Sequence, residues 1–263
     1  MNKSRVVVAA IAVLVVGALA AAFAQAQVVQ QGAVRVSVSA KIAPQRLPRH
    51  GKDPISVHFA GHISATKDGE PPNLTSLRIA LNRNGVLDTR GLPTCNVAKI
   101  GTASSNRALT ICRKALVGQG KFTADTYLAG GEPYPAVGRL LLFNGVLHGR
   151  PAVFGHIYSA QPFATSFIIP FTVRESAHGR YGTELTADFP QSLSSWGNVT
   201  GIEMKLSRRY SYRGERHSFL SAGCPAPKGF SGAVYPLAQA SFGFAVGPSI
   251  TVDQTGVCKA TGK

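Results

Sequence analysis

Short segments in which apolar and polar side chains alternate recur along most of this chain. Residues 34–38 read Val-Arg-Val-Ser-Val, and residues 55–63 and 77–81 continue the same period of two. A half-buried β-strand has this period because successive side chains point to opposite faces of a sheet. Glycine- and proline-rich stretches separate the segments, as turns between short strands require. The pattern predicts an all-β fold: an antiparallel β-sandwich, jelly-roll or immunoglobulin-like, with about 10–12 strands.

One segment has the period of a helix instead of a strand. Apolar residues recur over 108–116 with helical spacing, and Ser104 or Ser105 can cap the first turn. Gly118 follows as a stop signal. We therefore expect one short helix within the β fold.

The first 26 residues have the three parts of a secretory signal peptide. Lys3 and Arg5 precede an apolar run over 6–23, and residues 24–26, Ala-Gln-Ala, form a cleavage site. The run is near the lower length limit for crossing a bilayer, so a retained anchor is the alternative. Residues 27–263 are predicted to be a single secreted or extracytoplasmic domain, associated with the cell envelope and without a further transmembrane span.

The charge of the chain is strongly positive. Lysine and arginine total 28 against 12 aspartate and glutamate, which gives a formal net charge of +16. A basic exported protein is attracted to anionic envelope polymers, acidic glycans and anionic lipid surfaces. The alternative is that basicity serves only solubility. Charge bears on partners and not on fold, whereas the 44% apolar content allows a packed core.

Four cysteines lie in the exported part of the chain: Cys95, Cys112, Cys224 and Cys258. An even number in an exported chain predicts two disulfides. Three pairings are possible, and proximity favours Cys95–Cys112 and Cys224–Cys258. A zinc site is not expected because the chain has no C-x-x-C pair and no histidine at ligand spacing from a cysteine.

No motif in the chain predicts a catalytic residue, a metal site or a cofactor. His58 and His62 fall on a strand, where residues four apart are separated by about 13 Å and do not share one ion. Glu184 and Asp188 are separated by the same distance, whereas paired glycosidase carboxylates lie roughly 5–9.5 Å apart. No G-x-S-x-G motif is present. A carboxylate pair assembled from different strands keeps open an extracellular hydrolase acting on a glycan or ester.

The best binding candidate is a basic hairpin over 205–216. Apolar or tyrosine side chains at 202, 204, 206, 210 and 212 alternate with basic or serine side chains at 205, 207, 209, 211 and 213, and Arg208 and Arg216 add charge. Residues 217–221 supply the partner strand across a turn at 213–216. Cations beside tyrosines hold phosphates or carboxylates while the rings stack on sugars. The alternative is a solvated edge whose charges prevent aggregation. The predicted binding residues are Lys205, Arg208, Arg209, Tyr210, Tyr212, Arg213 and Arg216.

Several strings of the sequence are characteristic when taken together. They are LNRN at 81–84, DTRGLPTC at 88–95, CRKALVG at 112–118, GRPAV at 149–153 and SAGCPAPKGF at 221–230. Through them the chain resembles a family of uncharacterised secreted proteins from high-GC actinobacteria of the soil-dwelling Thermoleophilia type. The resemblance covers most of the exported chain and is most specific around the cysteines. It implies a bacterial exported protein and brings no activity or catalytic residue.

Together these features predict an exported, non-catalytic binding or structural protein of the cell envelope. Its basic surface would associate with an anionic envelope polymer or glycan, and no dedicated nucleic-acid partner is expected. The extracellular hydrolase is kept as the alternative function. Sequence alone leaves the ligand and the oligomeric state open.

Overall fold

The computed structural model of the protein describes residues 26–67, 69–127 and 132–262. The predicted signal peptide, except for Ala26, lies outside the described residues. Among the described residues, no helix combines the length and the apolar character needed to span a bilayer.

Strands dominate the described chain, which confirms the all-β prediction. The predicted helix is present as α1 (Ser105–Cys112), where the Ser104 hydroxyl accepts from the Arg107 amide. It ends earlier than predicted, because a strand begins at Leu116 and contains Gly118. A second, six-residue helix was missed. The strands are β1 (Gln27–Gln31), β2 (Val34–Ala43), β3 (Arg46–Pro48), β4 (Asp53–Pro54), β5 (Ser56–Ala65), β6 (Leu74–Asn82), β7 (Gly85–Leu87), β8 (Leu116–Tyr127), β9 (Pro133–Leu147), β10 (Arg150–Ser159), β11 (Thr165–Glu175), β12 (Tyr181–Asp188), β13 (Gly197–Leu206), β14 (Arg209–Tyr212), β15 (Glu215–Ser218), β16 (Leu220–Ala222), β17 (Gly232–Phe244) and β18 (Ile250–Thr261). The helices are α1 (Ser105–Cys112) and α2 (Gln191–Trp196), with 3₁₀ turns at Val97–Lys99 and Arg113–Ala115.

Thirteen of these strands form one continuous curled sheet. Its order is β1-β2-β5-β13-β8-β9-β10-β11-β12-β6-β17-β18-β3, and all neighbours are antiparallel except β18 and β3. The jelly-roll or immunoglobulin-like detail of the prediction is not confirmed. Two smaller sheets, β14-β15 and β4-β16-β7, complete the described fold. The strand number exceeds the predicted 10–12 because strands of two to five residues are too short to display a period.

The curl of the large sheet brings its two ends together. Strand β18 lies beside β2, and the buried Gln254 side chain joins them. Its Nε2 donates to the Val38 carbonyl oxygen at 2.9 Å, and its Oε1 accepts from the Ala40 amide at 3.3 Å. The sheet therefore encloses its own core.

Side chains on the concave face of the sheet fill the main core. Strand β2 shows the pattern: its even-numbered residues from Val34 to Ile42 are buried and the intervening residues are not. Strand β9 differs because residues 140–143 are buried on both faces. Leu141 and Phe143 pack outward into a second, smaller core beneath α1. The uninterrupted apolar run in this strand follows from that double burial.

Both predicted disulfides are present. Cys95–Cys112 has a Cα–Cα distance of 5.3 Å and ties α1 to the preceding loop. Cys224–Cys258 has a Cα–Cα distance of 5.7 Å and ties the segment after β16 to β18. The closed loops of 17 and 34 residues correspond to roughly 3–4 kcal/mol of stabilisation each in the chain-entropy model. Disulfides of this kind are typical of proteins outside the reducing cytoplasm.

The predicted long strand over 202–212 is two strands in different sheets. Strand β13 ends at Leu206 in the large sheet, and β14 begins at Arg209 in the two-stranded sheet. The turn is also shorter than predicted, because only Arg213 and Gly214 separate β14 from β15. Their φ angles of 54° and 80° are the left-handed conformations that two-residue hairpin turns favour.

Candidate functional site

The candidate site is centred on the basic hairpin, defined here as β14, the Arg213-Gly214 turn and β15. Tyr210 pairs with His217 and Tyr212 with Glu215, so both tyrosines lie on one face of the hairpin. Arg209 and Ser211 alternate with them and lie on the other face. The hairpin therefore has a tyrosine face and a basic face, as the alternation of the sequence indicates.

The tyrosine face docks the hairpin on the loop after β7. The Tyr210 hydroxyl donates to the Arg90 carbonyl oxygen at 2.9 Å and lies 3.2 Å from the Asp88 carbonyl oxygen. Its ring stacks on His217 with a centroid distance of 5.6 Å, and burial raises the pKa of the hydroxyl. The Tyr212 ring covers Gly91. Both tyrosines thus hold the hairpin in place.

The nearest carboxylate at the base of the hairpin already has a partner. The Arg90 guanidinium donates to both oxygens of Asp88, at 2.9 and 2.8 Å. This hydrogen bonding lowers the pKa of Asp88, and His217 lies 3.8 Å from the same carboxylate. Asp88 therefore stays ionised, and its carboxylate interacts with Arg90 and His217.

Three arginines of the hairpin project into solvent. Arg209, Arg213 and Arg216 are exposed, and none forms a salt bridge with a carboxylate of the described residues. Arg213 lies over the Tyr212 ring with its Cζ 5.2 Å from the centroid. This cation–π contact turns Arg213 back toward the tyrosine face. The three cations therefore extend from the base of the hairpin at Arg209 to its tip at Arg213.

Arg208 differs from the other predicted binding residues because it is half-buried. Its carbonyl oxygen accepts from the Phe219 amide at 2.8 Å and from the Ser218 hydroxyl at 3.4 Å. Its buried Nε has no hydrogen-bond partner among the described residues. Arg208 therefore belongs to the base of the hairpin and is not one of its exposed cations.

Lys205 lies outside the hairpin, on the convex face of the large sheet. Its cross-strand neighbours are His58 on β5 and Gln119 on β8. Neighbouring strands are about 4.8 Å apart, so cations on adjacent strands of this face form one patch. We call this patch the outer basic face; its exposed cations are Lys41, Lys121, Arg139 and Lys205. The sequence did not reveal it because its members come from four strands whose order was unknown.

A third basic group lies beside the Cys224–Cys258 disulfide, where Arg49, His50 and Lys228 line a surface cleft. The Arg49 guanidinium donates to the carbonyl oxygens of Ala226, Pro227 and Phe230 at 2.6–2.7 Å. Arg49 therefore holds the 226–230 loop in place.

The histidine and carboxylate pairs considered in the sequence are placed on strands as expected. The His58 Nε2 lies 3.0 Å from the Glu203 carboxylate, and His62 is exposed on the same strand. Glu184 accepts from Arg78, which lowers the pKa of Glu184, whereas Asp188 is exposed at the end of β12. Within the described ranges, no group of three His, Cys, Asp or Glu side chains is placed to hold a metal ion.

One polar cluster was not found from the sequence. The Asn198 amide donates to the Glu70 carboxylate at 3.0 Å and to the Tyr127 hydroxyl at 3.2 Å. Burial, then the hydrogen bond with Glu70, raises the pKa of Tyr127 to about 12. Burial, then the charge of Glu70, raises the pKa of Asp125. The members come from β8, β13 and the segment before β6, so only the fold brings these two carboxylates together.

No protein-family model, curated protein or solved structure shows significant similarity to this chain. The resemblance to actinobacterial secreted proteins therefore stays a prediction, and the functional argument depends on the geometry of the site.

Proposed function

We propose that this protein is an exported, non-catalytic binding protein of the cell envelope that associates with an anionic polymer. The basic hairpin makes the primary contact, and the outer basic face extends it. The phosphates or carboxylates of the polymer are the groups that arginine recognises, because the guanidinium donates two parallel hydrogen bonds to them.

The observation that carries this proposal is the combination of a docked hairpin with three exposed arginines that lack acidic partners. The Tyr210 hydrogen bond and the contact between Tyr212 and Gly91 hold the hairpin against its loop. A pre-organised element loses little conformational entropy on binding, so more of the electrostatic attraction appears as affinity. Cations already paired with carboxylates would contribute much less.

Cosedimentation with bacterial cell-wall sacculi tests the proposal. One sample of sacculi keeps its anionic polymers, and the other has had them removed by acid extraction. We expect binding to the intact sacculi at about 50 mM salt and loss of binding at about 500 mM, where screening is strong. Binding to the extracted sacculi should be weak at both salt concentrations.

Charge-matched variants assign the binding surface. Substituting Arg209, Arg213 and Arg216 with glutamine should weaken binding roughly tenfold or more. A control that replaces Lys99, Arg107 and Lys114 with glutamine removes the same charge near α1, where all three are exposed. Equal losses in both variants would show that net charge alone drives binding, and the hairpin assignment would be rejected.

A second candidate function, an extracellular hydrolase acting on a glycan or ester, is favoured by one observation. Burial, and then the charge of the nearby Glu70, raises the pKa of Asp125, and a raised carboxyl pKa suits a general acid. Activity on nitrophenyl glycosides or esters that is abolished by both Asp125→Asn and Glu70→Gln would support this function. Activity unchanged by these substitutions would reject this pair as the catalytic centre.

A further inference from the structure

The core of the curled sheet contains an apolar cavity of about 80 Å³. Strands β7 and β16 of the three-stranded sheet form one wall, and the concave face of the large sheet forms the others. Its lining includes Phe59, Leu142, Phe171, Met204, Leu220 and Tyr235. Protein interiors are close-packed and contain few voids larger than a water molecule, so a space of this size is a distinct feature of the fold.

The chemistry of the lining decides what this cavity can hold. None of the residues that line it carries a charge, so an ionised ligand would be buried without a compensating partner. Stable water needs two to four polar partners, and the walls are almost entirely apolar. Both considerations favour an uncharged, mainly apolar occupant.

One lining residue offers a hydrogen-bond donor. Tyr235 is only 7% exposed and faces the core from β17, and its hydroxyl forms no hydrogen bond with a described residue. Burial raises the pKa of this hydroxyl to about 12, so it keeps its proton at neutral pH. By contrast, the nearby Asn82 side chain is occupied: it donates to the Pro236 carbonyl oxygen and accepts from Asn84.

We propose that this cavity is a binding site for a small uncharged molecule with a compact apolar body and one oxygen that accepts a hydrogen bond from Tyr235. A short ether or ketone belongs to this class. An apolar cavity of roughly 150 Å³ holds benzene, which has six heavy atoms, so the present volume corresponds to about three heavy atoms. This site is separate from the basic hairpin and does not depend on polymer binding.

Two matched probes and xenon test the proposal by NMR of the core methyl groups. Propane tests the apolar body, dimethyl ether replaces its central carbon with the accepting oxygen, and xenon reports an accessible apolar space. All three should shift the methyl resonances of Leu142, Met204 and Leu220, and leave the exposed Val246 methyls unchanged. Absence of shifts at the cavity methyls with all three probes would overturn the proposal.

Variants separate the shape of the site from its hydrogen bond. Ala238→Leu adds side-chain volume at the wall and should abolish the shifts caused by all three probes; persistence of these shifts would place the probes elsewhere and overturn the site. Tyr235→Phe keeps the ring and should retain propane and xenon binding. In this variant the affinity of dimethyl ether relative to propane should fall about fivefold, the effect of one net hydrogen bond. An unchanged ratio would refute the role of the Tyr235 hydroxyl, and this test remains available if Ala238→Leu does not fold.

Discussion

The hydroxyl of Tyr210 donates to the carbonyl oxygen of Arg90 at 2.9 Å, across 120 residues of sequence. This hydrogen bond joins the basic hairpin to the loop that follows β7. The same loop contains Asp88 and its partner Arg90, so one short segment both holds the hairpin and pairs the carboxylate at its base with a cation. The orientation of the exposed arginines therefore depends on a few contacts of this loop.

Tyr210→Phe should loosen the hairpin without unfolding the protein. The variant keeps the ring that stacks on His217 and removes only the hydrogen bond, which contributes about 1 kcal/mol net. Amide hydrogen exchange should therefore become roughly fivefold faster in β14 and β15, because local opening becomes easier. Tyr181→Phe, which removes a hydroxyl bonded to Asp253 on another strand, serves as the control. Unchanged exchange in the hairpin of Tyr210→Phe would contradict this account of its docking.

Gly91→Ala should destabilise the protein by more than a turn glycine normally does. Gly91 has a φ of 69°, and a Cβ at this position would collide with the ring of Tyr212. Gly149 is a matched control because its φ is 75° and a Cβ there meets no atom within 4 Å. Each substitution should lower the free energy of unfolding by about 1 kcal/mol, because alanine disfavours the left-handed backbone conformation. Gly91→Ala must also displace the Tyr212 ring, so we expect a total loss of roughly 2–4 kcal/mol for this variant. Urea denaturation of the two variants checks the difference, and equal losses would show that Tyr212 moves without cost.

The sequence predicted those parts of the fold that depend on local pattern. The alternation in β2, the capping of α1 by Ser104 and the proximity of the cysteines all depend on residues close together in the chain. The curl of the sheet was not predictable in this way, because it depends on which distant strands pair. Gln254 illustrates this limit: nothing near it in the sequence indicates that it joins β18 to β2.

The candidate site was also only partly predictable. The alternation of cations and tyrosines indicated two faces, but the break at residues 207–208 was missed because the same alternation resumes after it, with Arg208 alone out of pattern. That break places Lys205 on the outer basic face and Arg209 on the hairpin. The tyrosine contacts with Arg90 and Gly91 join segments about 120 residues apart, so the sequence suggested free stacking surfaces where the structure has packed rings.

Gln254→Ala should lower the stability of the protein markedly. Gln254 is 2% exposed, and its loss leaves the Ala40 amide and the Val38 carbonyl without their side-chain partner. Each unsatisfied buried group costs about 1–3 kcal/mol, so we expect a loss of roughly 2–5 kcal/mol. Gln239→Ala on β17 removes a solvent-accessible hydrogen bond to Asp253 and should cost under about 1 kcal/mol. Thermal unfolding of both variants checks the contrast, and similar melting temperatures would mean that the sheet ends are held by packing alone.

Stability should fall as the pH drops below about 6.5, in part because of His156. Its side chain is fully buried beside α1, its Nε2 lies 2.9 Å from the Ala103 carbonyl oxygen, and its Nδ1 has no partner among the described residues. Burial lowers the pKa of His156 below the ordinary histidine value of about 6.5, so the folded protein binds this proton more weakly than the unfolded chain. Because the unfolded chain binds more protons in this window, the free energy of unfolding rises with pH between the lowered pKa and about 6.5, and is constant above it.

The His156→Gln variant isolates this effect because glutamine can still donate to the Ala103 carbonyl oxygen. The difference in unfolding free energy between wild type and His156→Gln should be constant above about pH 7. Below pH 6.5 the wild type should lose stability relative to His156→Gln by up to about 1.4 kcal/mol per pH unit. His62→Gln, at an exposed position, should not show this change. The protection factors of the α1 amides, which correct for the intrinsic pH dependence of exchange, should fall at low pH only when His156 is present. Parallel pH profiles for the wild type and His156→Gln would show that the buried imidazole does not couple folding to pH.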